Sequence, residues 1–365
     1  MEGLQKDTRP SRPVLIMAPI RIFLITHRRP QLLRRSLGSL LAQTCKDWVC
    51  ELHNDAPDDD APWTILNDLA PGDPRLSYFK HSPTWGAVAV FNRVFRGGAE
   101  PFASMLEDDN WWEPGFLGTA MDALNRSPGA VLAWANMQMW KEEPGGKWLD
   151  LGRAIWSGGP GDAGIVNFDQ PELFQTFDAL HSNGAMVFRP DRFRAQCVPS
   201  SAPLSIIEPL RERSASGPML FIPRILANFA LTMDTARGRD PAAWIQARLL
   251  VAASFLQDRD VDAGDWRRMW AARRTLQPRD TGIFFLLAIS LRRFRLVRGA
   301  TAGDWLRFLL GAARHPLVTA RGLRFRRDQS ETWAWLVSQT AAAGGKSVRA
   351  SLSSKCVPAM GTFPQ

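Results

Sequence analysis

The sequence predicts an α/β protein in which a mostly parallel sheet flanked by helices is followed by a mainly helical C-terminal region. Two patterns predict this class. Through the first half, strand-like and helix-like segments alternate and short polar turns join them, an order typical of parallel sheets covered on both faces. From Pro241 onward the pattern is helical almost throughout. Ligands of parallel sheets bind at the carboxyl ends of the strands, so we expect the functional site at that edge.

The predicted elements follow in chain order from the apolar runs and the turns between them. Strands are predicted at 20–26, 48–53, 76–80, 102–106, 130–140 and 185–189. Helices are predicted at 31–43, 87–96 and 114–125. The first of these helices has one apolar stripe at helical spacing, formed by Leu32, Leu33, Leu37, Leu40 and Leu41. Asp240 and Pro241 are a favourable N-cap and first-turn pair for the first helix of the C-terminal region.

Composition and the lengths of the apolar runs restrict the class of protein. Hydrophobic residues make up 45% of the chain and charged residues 22%, which is the balance of a folded soluble protein. No apolar run reaches the roughly 18 residues that a membrane-spanning helix needs, so an integral membrane protein is not expected. We predict a polar N-terminal extension at 1–18, the sheet domain at 19–236, a basic, mostly helical region at 237–345 and a flexible tail at 346–365.

The basic excess of the chain lies in its C-terminal region. The formal net charge is +9, and residues 237–331 hold nineteen Arg and no Lys against nine acidic residues. Three interpretations stay open. The Arg side chains extend to solvent from helices packed on the rest of the protein, or they dock the protein on anionic lipid headgroups. Nucleic-acid binding is the third, and the lack of a known binding motif disfavours it.

Three acidic residues, Glu107, Asp108 and Asp109, directly follow the predicted strand at 102–106. Adjacent carboxylates repel one another and disfavour joint ionisation. A divalent cation among their oxygens removes this cost, and Mg²⁺ or Mn²⁺ suits the role because hard cations bind carboxylate and phosphate oxygens together. The alternative is a solvated acidic turn that opens the helix at Pro114, where acidic residues favour the helix dipole.

Several short motifs, in order along the first half, resemble those of family 2 glycosyltransferases with a GT-A fold. Thr-His-Arg-Arg-Pro at 26–30 stands where that family has Thr-Tyr-Asn-Arg-Pro, and Gln-Thr at 43–44 closes the following helix. Asn-Asp-Ala-Pro-Asp-Asp at 54–59 stands where Asp-Asp-Gly-Ser-x-Asp is usual. The resemblance therefore implies a GT-A fold, which is Rossmann-like, for the sheet domain.

The resemblance continues to the acidic residues, with two departures. Gly86 and Asn92 match a segment in which a Gly precedes an Ala-rich helix, and the acidic residues at 107–109 match the Asp-x-Asp metal motif. Phe91 stands where Arg is usual, and Glu107 stands where Asp is usual. Together with Asn54 in the motif after the second strand and Pro209, where Asp often follows the acid, these departures keep a second interpretation open. In it the chain is a non-catalytic, membrane-associated scaffold or binding protein on a degenerate glycosyltransferase fold.

What the resemblance implies is transfer of a sugar from a nucleotide-diphosphate sugar to an acceptor hydroxyl, with inversion and with a divalent metal, Mn²⁺ or Mg²⁺. The residues expected to bind the nucleotide sugar are Thr26, His27, Asn54, Asp55, Asn92 and Asp108. Glu107 and Asp109 are expected to hold the metal that bridges the donor phosphates. Asp55 has an alternative interpretation as a residue that forms a turn.

An inverting transfer also needs a base that takes the proton of the acceptor hydroxyl. In the family this acid lies about twenty residues beyond an apolar strand that ends in Phe-Arg. Glu208 lies nineteen residues beyond Arg189 and is the predicted base, and Glu212 is the fallback. A surface acid in the turn before a helix is the alternative for Glu208.

The resemblance also bears on acceptor and location. The processive synthases of the family carry a Gln-x-x-Arg-Trp motif, which this sequence lacks, so we expect one transfer per binding event. The expected acceptor is a glycan or a lipid-linked glycan in bacterial polysaccharide biosynthesis. The expected location is cytoplasmic, with peripheral contact at the inner face of the membrane through the basic region.

Overall fold

The computed structural model describes residues 19–157, 164–169, 171–193, 197–215, 217–233, 240–276, 281–342, 348–350 and 357–358. The predicted extension at 1–18 lies outside these residues, as does most of the predicted tail at 346–365.

The chain divides into two compact units, and each is described by itself. Unit 1 comprises residues 1–167, 181–197 and 215–234, and unit 2 comprises residues 168–180, 198–214 and 235–365. The sheet domain predicted at 19–236 is continuous, whereas the structure assigns residues 168–180 and 198–214 within it to unit 2.

Unit 1 is built on one large mixed sheet. The strands of unit 1 are β1 (Ile20–Thr26), β2 (Trp48–Asn54), β3 (Leu76–Lys80), β4 (Phe102–Glu107), β5 (Trp111–Trp112), β6 (Leu132–Glu143), β7 (Lys147–Ala154), β8 (Trp156–Ser157), β9 (Val166–Phe168), β10 (Met186–Phe188) and β11 (Met219–Leu231), and all of them except β8 belong to this sheet. Eight of them follow the order β3-β2-β1-β4-β10-β6-β11-β5, and β7 pairs with β6. The first four strands are mutually parallel, and β10 runs antiparallel between β4 and β6.

Four helices join and cover the parallel strands of unit 1. They are α1 (Pro30–Leu41), α2 (Ala61–Leu69), α3 (Ala87–Arg96) and α4 (Phe116–Arg126). Of the stripe predicted for α1, Leu33, Leu37 and Leu40 are fully buried in the core with the apolar residues of β1, whereas Leu32 and Leu41 are half-buried. α2 is absent from the sequence prediction, because the segment rich in Asp and Pro at 54–62 predicts a turn.

Strand register brings the ends of the parallel strands together at one edge of the sheet. Thr26 at the end of β1 pairs with Asn54 at the end of β2, and Ile25 pairs with Glu107 at the end of β4. The loops after these strands therefore begin side by side. This edge is the one at which the sequence predicts the functional site.

Unit 2 is mainly helical, as predicted. Its helices are α5 (Ile207–Ser214), α6 (Pro241–Asp258), α7 (Ala263–Leu276), α8 (Gly282–Leu291), α9 (Ala302–Arg314), α10 (Pro316–Leu323), α11 (Phe325–Asp328) and α12 (Ser330–Ala342). Three short strands, β12 (Arg259–Val261), β13 (Val348–Ala350) and β14 (Val357–Pro358), complete the described part. Asp240 caps α6 as predicted, because its side chain accepts the N–H of Ala242 at 2.9 Å.

The core of unit 2 forms around α8 and its aromatic neighbours. Ile283, Phe284 and Phe285 are buried on α8, and the ring of Trp270 stacks on Phe284 with centroids 4.3 Å apart. The indole N–H groups of Trp266 and Trp270 both donate to the carbonyl of Leu296. None of the helices in the described part is both long enough and apolar enough to cross a membrane.

Candidate functional site

The candidate site is the edge of unit 1 formed by the loops after β1, β2 and β4. The N–H of Asp55 donates to the carbonyl of Thr26 at 3.0 Å, and the N–H of Asp108 donates to the carbonyl of Ile25 at 3.0 Å. The exposed ring of His27 donates from Nδ1 to the carbonyl of Asp55 at 3.1 Å. The structure thus brings together four of the residues that the sequence predicts to bind a nucleotide sugar: Thr26, His27, Asp55 and Asp108.

Asp108 is held inside this edge by the loop after β1. The hydroxyl of Thr26 donates to its Oδ2 at 2.8 Å, the N–H of His27 donates to the same oxygen at 3.3 Å, and Arg29 Nη1 lies 3.5 Å from Oδ1. Burial and the neighbouring charge of Asp109 nevertheless raise the pKa of Asp108 to about 6. The carboxylate is therefore costly to keep ionised, although three donors surround it.

Asp109 and Glu107 are the half-buried members of the acidic cluster. Arg29 Nη1 donates to Asp109 Oδ2 at 3.0 Å, and Arg35 Nη2 donates to the Asp109 carbonyl at 2.9 Å. Glu107 Oε2 accepts a hydrogen bond of 3.2 Å from the side chain of Asn110. Both carboxylates border the same loop, and both are the oxygen ligands that hard cations prefer.

The fit of these residues to a metal is partial. Among the described residues, no group of three or more His, Cys, Asp or Glu side chains is arranged to hold a metal ion. Mg²⁺ is commonly bound by only one or two carboxylates together with the phosphates of a substrate. Glu107 and Asp109 fit that second arrangement, in which the phosphates of a ligand supply the remaining oxygens.

Arg35 adds a half-buried cation that the sequence did not single out. Its guanidinium lies 3.8 Å from the ring centroid of Trp111 and 4.1 Å from that of Trp148. Burial lowers the pKa of Arg35 to about 10, with Asp109 and Glu142 opposing the shift, so the side chain stays charged at neutral pH. No local sequence signal could have found this cluster, because α1, β5 and β7 supply its members.

Asn54 and Asp55 are neighbours at the end of β2, and the structure gives them different roles. Asn54 is fully buried, and its amide group donates to the carbonyl of Asp59 at 2.7 Å and to the hydroxyl of Tyr78 at 3.0 Å. Its Oδ1 accepts the N–H of Ala56. Asn54 therefore shapes the turn after β2, and both of its amide hydrogens are used within the protein.

The carboxylate of Asp55 accepts three hydrogen bonds from the segment that leads into α3. Oδ1 accepts from His81 Nδ1 at 2.9 Å and from the N–H of Trp85 at 2.7 Å, and Oδ2 accepts the N–H of Gly86 at 2.9 Å. Burial opposes ionisation here, but these three donors outweigh it and lower the pKa of Asp55. Both of the roles foreseen for Asp55, ligand contact and turn formation, are compatible with this geometry, because the carboxylate has further acceptor capacity.

The remaining predicted residues belong to α3 and α5. Asn92 is half-buried on α3, and the neighbouring Phe91 is buried, so the departure from Arg at that position fills the core. Glu208 lies in α5 of unit 2, and its role stays a prediction. Glu212, the fallback, accepts hydrogen bonds from the side chain of Gln175 and the N–H of Leu180, which gives it a structural task within unit 2.

Comparison with known proteins identifies the family of this site. Residues 21–178 match the sequence model of glycosyl transferase family 2. A comparison with curated proteins gives no match. The solved structure of S. aureus TarS 1–349 in complex with UDP-GlcNAc is similar with a TM-score of 0.52 and 10% identity, over 89% of this chain and 92% of that chain. The complex of TarS 1–349 with UDP is similar with a TM-score of 0.50 and 11% identity, over 93% and 98% of the two chains.

These likenesses define the class of protein. At such low identity the structural likeness shows the fold, which is a mixed α/β sheet of the GT-A type followed by a helical region. The matched residues 21–178 belong to glycosyl transferase family 2, and the protein is a glycosyltransferase. The family and fold predicted from the motifs after β1, β2 and β4 are confirmed.

Proposed function

We propose that this protein transfers a sugar from a nucleotide-diphosphate sugar to an acceptor hydroxyl. The observation that supports this most is the convergence of His27, Asp55, Asp108 and Asp109 at one edge of a family 2 sheet. The solved TarS complexes contain UDP-GlcNAc and UDP, so a uridine nucleotide is the first donor to test.

The two sides of the edge suit different parts of such a donor. On the β2 side, the exposed ring of His27 and the ionised Asp55 offer a stacking face and a hydrogen-bond acceptor to the base and ribose. On the β4 side, Asp108 is the candidate contact for the sugar hydroxyls, and Thr26 positions it through a hydrogen bond of 2.8 Å. Asn92 on α3 is a further proposed donor contact, and Asn54 acts through the turn that it holds.

Glu107 and Asp109 are the proposed holders of a divalent metal beside the donor phosphates. When bound, Mn²⁺ or Mg²⁺ supplies Lewis-acid stabilisation of the charge on the leaving diphosphate. Arg29 now lies 3.0 Å from Asp109 Oδ2 and competes for that oxygen. The guanidinium of Arg29 can bind phosphate oxygens directly, so a bound diphosphate gives Arg29 another partner and frees the carboxylate.

Glu208 is the proposed base of an inverting transfer. It would take the acceptor proton as the hydroxyl oxygen bonds to the anomeric carbon and the nucleoside diphosphate leaves. Glu208→Gln should reduce turnover about a hundredfold while the donor KM changes little, the signature of a group used in the transition state. Unchanged turnover in a folded Glu208→Gln variant contradicts this assignment.

The test of the function is release of the nucleoside diphosphate from a panel of nucleotide sugars, beginning with UDP-GlcNAc, with and without Mn²⁺. We expect metal-dependent release that Asp109→Ala abolishes. Asp122→Ala, which removes an exposed acid on α4, is the matched control and should retain full activity. Folded protein that binds a nucleotide and releases no product from any donor would favour the non-catalytic scaffold instead.

A second proposal concerns an exposed apolar surface of unit 2. Leu306, Leu309, Leu310 and Leu317 of α9 and α10 are 60%, 58%, 61% and 79% exposed, and we call them the leucine face. The first three lie on one side of α9 by their spacing. A contiguous exposed apolar surface of this kind marks a site of association.

The charges near the leucine face favour an anionic membrane as its partner. Residues 292–327 contain ten Arg and one acid, Asp304. Asp304 is buried and paired with Arg274 and Arg307, so among these described residues the exposed charge is positive. Apolar side chains beside Arg suit the boundary between acyl chains and anionic headgroups. We propose peripheral binding at the inner face of the membrane, which would give access to a lipid-linked glycan acceptor.

Vesicle co-sedimentation tests the leucine face. We expect the protein to bind vesicles of phosphatidylserine and phosphatidylcholine in low salt, and to bind phosphatidylcholine alone far more weakly. The double variant Leu309→Ser, Leu310→Ser should lose binding, whereas Leu149→Ser, which changes an exposed Leu of unit 1, should not. Concentration-dependent dimers that the double variant abolishes, without vesicle binding, would instead assign the face to a second copy of the chain.

A further inference from the structure

Four buried titratable side chains form a continuous line of hydrogen bonds at the ends of β2 and β3. Glu51 and His53 lie two residues apart on β2 and share one face of the sheet, while Asp55 follows β2 and His81 follows β3. All four side chains are buried. We call Glu51, His53, His81 and Asp55 the relay.

Three contacts connect the members of the relay. His53 Nε2 lies 3.0 Å from Glu51 Oε2, and His53 Nδ1 lies 2.9 Å from His81 Nε2. His81 Nδ1 lies 2.9 Å from Asp55 Oδ1. Each imidazole nitrogen of the relay therefore has one partner, and both ends of the line are carboxylates.

These contacts fix the number of protons on the two rings. An ionised carboxylate only accepts hydrogen bonds, so His53 donates to Glu51 and His81 donates to Asp55. If both rings were neutral, the two facing nitrogens would both be acceptors, with no proton between them. If both were imidazolium, two donors would face each other. One proton between the rings satisfies all three contacts, so the geometry calls for three N–H protons and one positive charge on the pair. Burial and the charges of His81 and Arg93 lower the pKa of His53 and oppose that charge, whereas the hydrogen bond to Glu51 favours it.

The charges around Glu51 keep that end of the relay ionised. Arg93 on α3 donates to both carboxylate oxygens of Glu51 at 2.8 Å, and Arg21 on β1 donates to Oε1 at 2.7 Å. Arg21 is itself paired with Glu100. Burial opposes ionisation of Glu51, but the hydrogen bond from His53 and the charge of Arg93 outweigh it and lower its pKa.

The aromatic surroundings hold both rings in place. The ring of His53 stacks on Phe79 at 5.2 Å and on Phe23 at 6.1 Å between centroids. Trp85 stacks on His81 at 3.8 Å with an interplanar angle of 12°. An indole face attracts a cation, so it suits a shared imidazolium charge at His81.

We propose that the relay is a positioning device for the donor site, in which one proton shared by His53 and His81 fixes the Asp55 carboxylate. Asp55 also accepts the N–H groups of Trp85 and Gly86, so the relay connects the buried face of β2 with the start of α3. His53 and His81 are buried and act through Asp55. The inference rests on the proposed function for the ligand of Asp55, whereas the proton count rests on the contacts alone.

The first experiment counts the protons without any donor. Nitrogen–proton NMR correlation of the histidine-labelled full chain at pH 7 should show three slowly exchanging ring N–H signals from His53 and His81. His81→Asn should leave one of them, the His53 N–H bound to Glu51. His315→Gln removes an exposed histidine of unit 2 and should leave all three unchanged. Two signals, one for each neutral ring, would overturn the shared proton.

The second experiment measures what the relay does for the site. His81→Asn keeps an N–H for Asp55 but has no group to replace Nε2 opposite His53. We expect the Kd for UDP and the donor KM to rise about tenfold, the effect of one charge-assisted hydrogen bond, with a much smaller change in kcat. His53→Gln removes the same contact from the other side and should give a similar rise.

The pH dependence separates positioning from a general packing effect. In the wild type, removal of the shared proton breaks the contact between the rings, so the donor KM should rise on the alkaline side, and His81→Asn should lack this rise. Wild-type Kd and pH profile in folded variants would overturn the positioning role. Failure of the wild type to bind any nucleotide contradicts the proposed function, whereas a wrong proton count contradicts only the relay.

Discussion

Asp55 and Asp108 follow β2 and β4, the strands on either side of β1, and both side chains are 5% exposed. Their pKa values are nevertheless shifted in opposite directions: that of Asp55 is lowered, and that of Asp108 is raised to about 6. Burial disfavours both anions. Both carboxylates have three donors, but only Asp108 lies next to another acid, Asp109.

At Asp55 the hydrogen bonds outweigh burial, whereas at Asp108 burial, supported by the charge of Asp109, outweighs the donors. Three donors make the end of β2 a stable anionic anchor even without a ligand. The end of β4 concentrates acidic charge that Arg29 only partly offsets. A cation is favourable where acidic side chains cluster, and this is where we propose the metal.

The largest expected effect comes from removing the charge of Asp109, which distinguishes the end of β4 from the end of β2. Asp109→Asn should lower turnover about a hundredfold or more, because the electrostatic stabilisation of the leaving diphosphate is lost. The same change should leave the protein folded and lower the pKa of Asp108, since its nearest like charge is gone. Steady-state kinetics and carboxyl titration by NMR measure the two effects. Retention of wild-type turnover would break the assignment of the β4 side.

The next effect is on stability at the β2 side. Asp55→Asn removes the anion that three buried donors share and should lower the free energy of unfolding by about 2–3 kcal/mol at pH 7. Asp58→Asn is the control, because its partner Arg28 and its own side chain are exposed, and it should change little. Urea denaturation measures both. Equal losses in the two variants would contradict the role of Asp55 as an anchor.

Asp108→Asn should act in the opposite direction on stability. The folded pKa of about 6 lies above the ordinary value of 3.8, so the folded state binds more protons between these pH values and wild-type stability falls as pH rises through them. In metal-free buffer at pH 7, the variant should gain about 1–3 kcal/mol and should lack this pH slope. A loss of stability would show that the donors of Asp108 outweigh its burial.

The smallest expected effect comes from substitution of Arg35, whose guanidinium contacts the indole rings of Trp111 and Trp148. Arg35→Lys keeps the charge but loses the planar stacking on Trp111 and Trp148, which should cost about 1 kcal/mol of unfolding free energy. Thermal unfolding and tryptophan fluorescence follow this change. A loss as large as that of Asp55→Asn would mean that Arg35, rather than Asp55, anchors the edge.

Much of the sheet and half of the site could be predicted because their signals are local. The strand at Ile20–Thr26 and the helix at Ala87–Arg96 have the predicted bounds, since apolar periodicity and flanking turns define them. The acidic residues after β4 could also be predicted as a candidate site, because they are consecutive in the sequence and directly follow an apolar strand. The relay was not, because His53 and His81 are distant in sequence and meet only when β2 pairs with β3. Arg35 between Trp111 and Trp148 likewise depends on contacts that no local pattern encodes.

The most direct test of the donor site is a thermal-shift measurement with UDP, GDP, TDP and ADP, each with and without Mn²⁺, on the wild type and on Asp109→Ala. A ligand that binds only the native state raises the melting temperature by mass action. We predict a rise for one nucleotide that requires Mn²⁺ in the wild type and is lost in the variant. No rise with any nucleotide, or the same metal-dependent rise in both proteins, would contradict it.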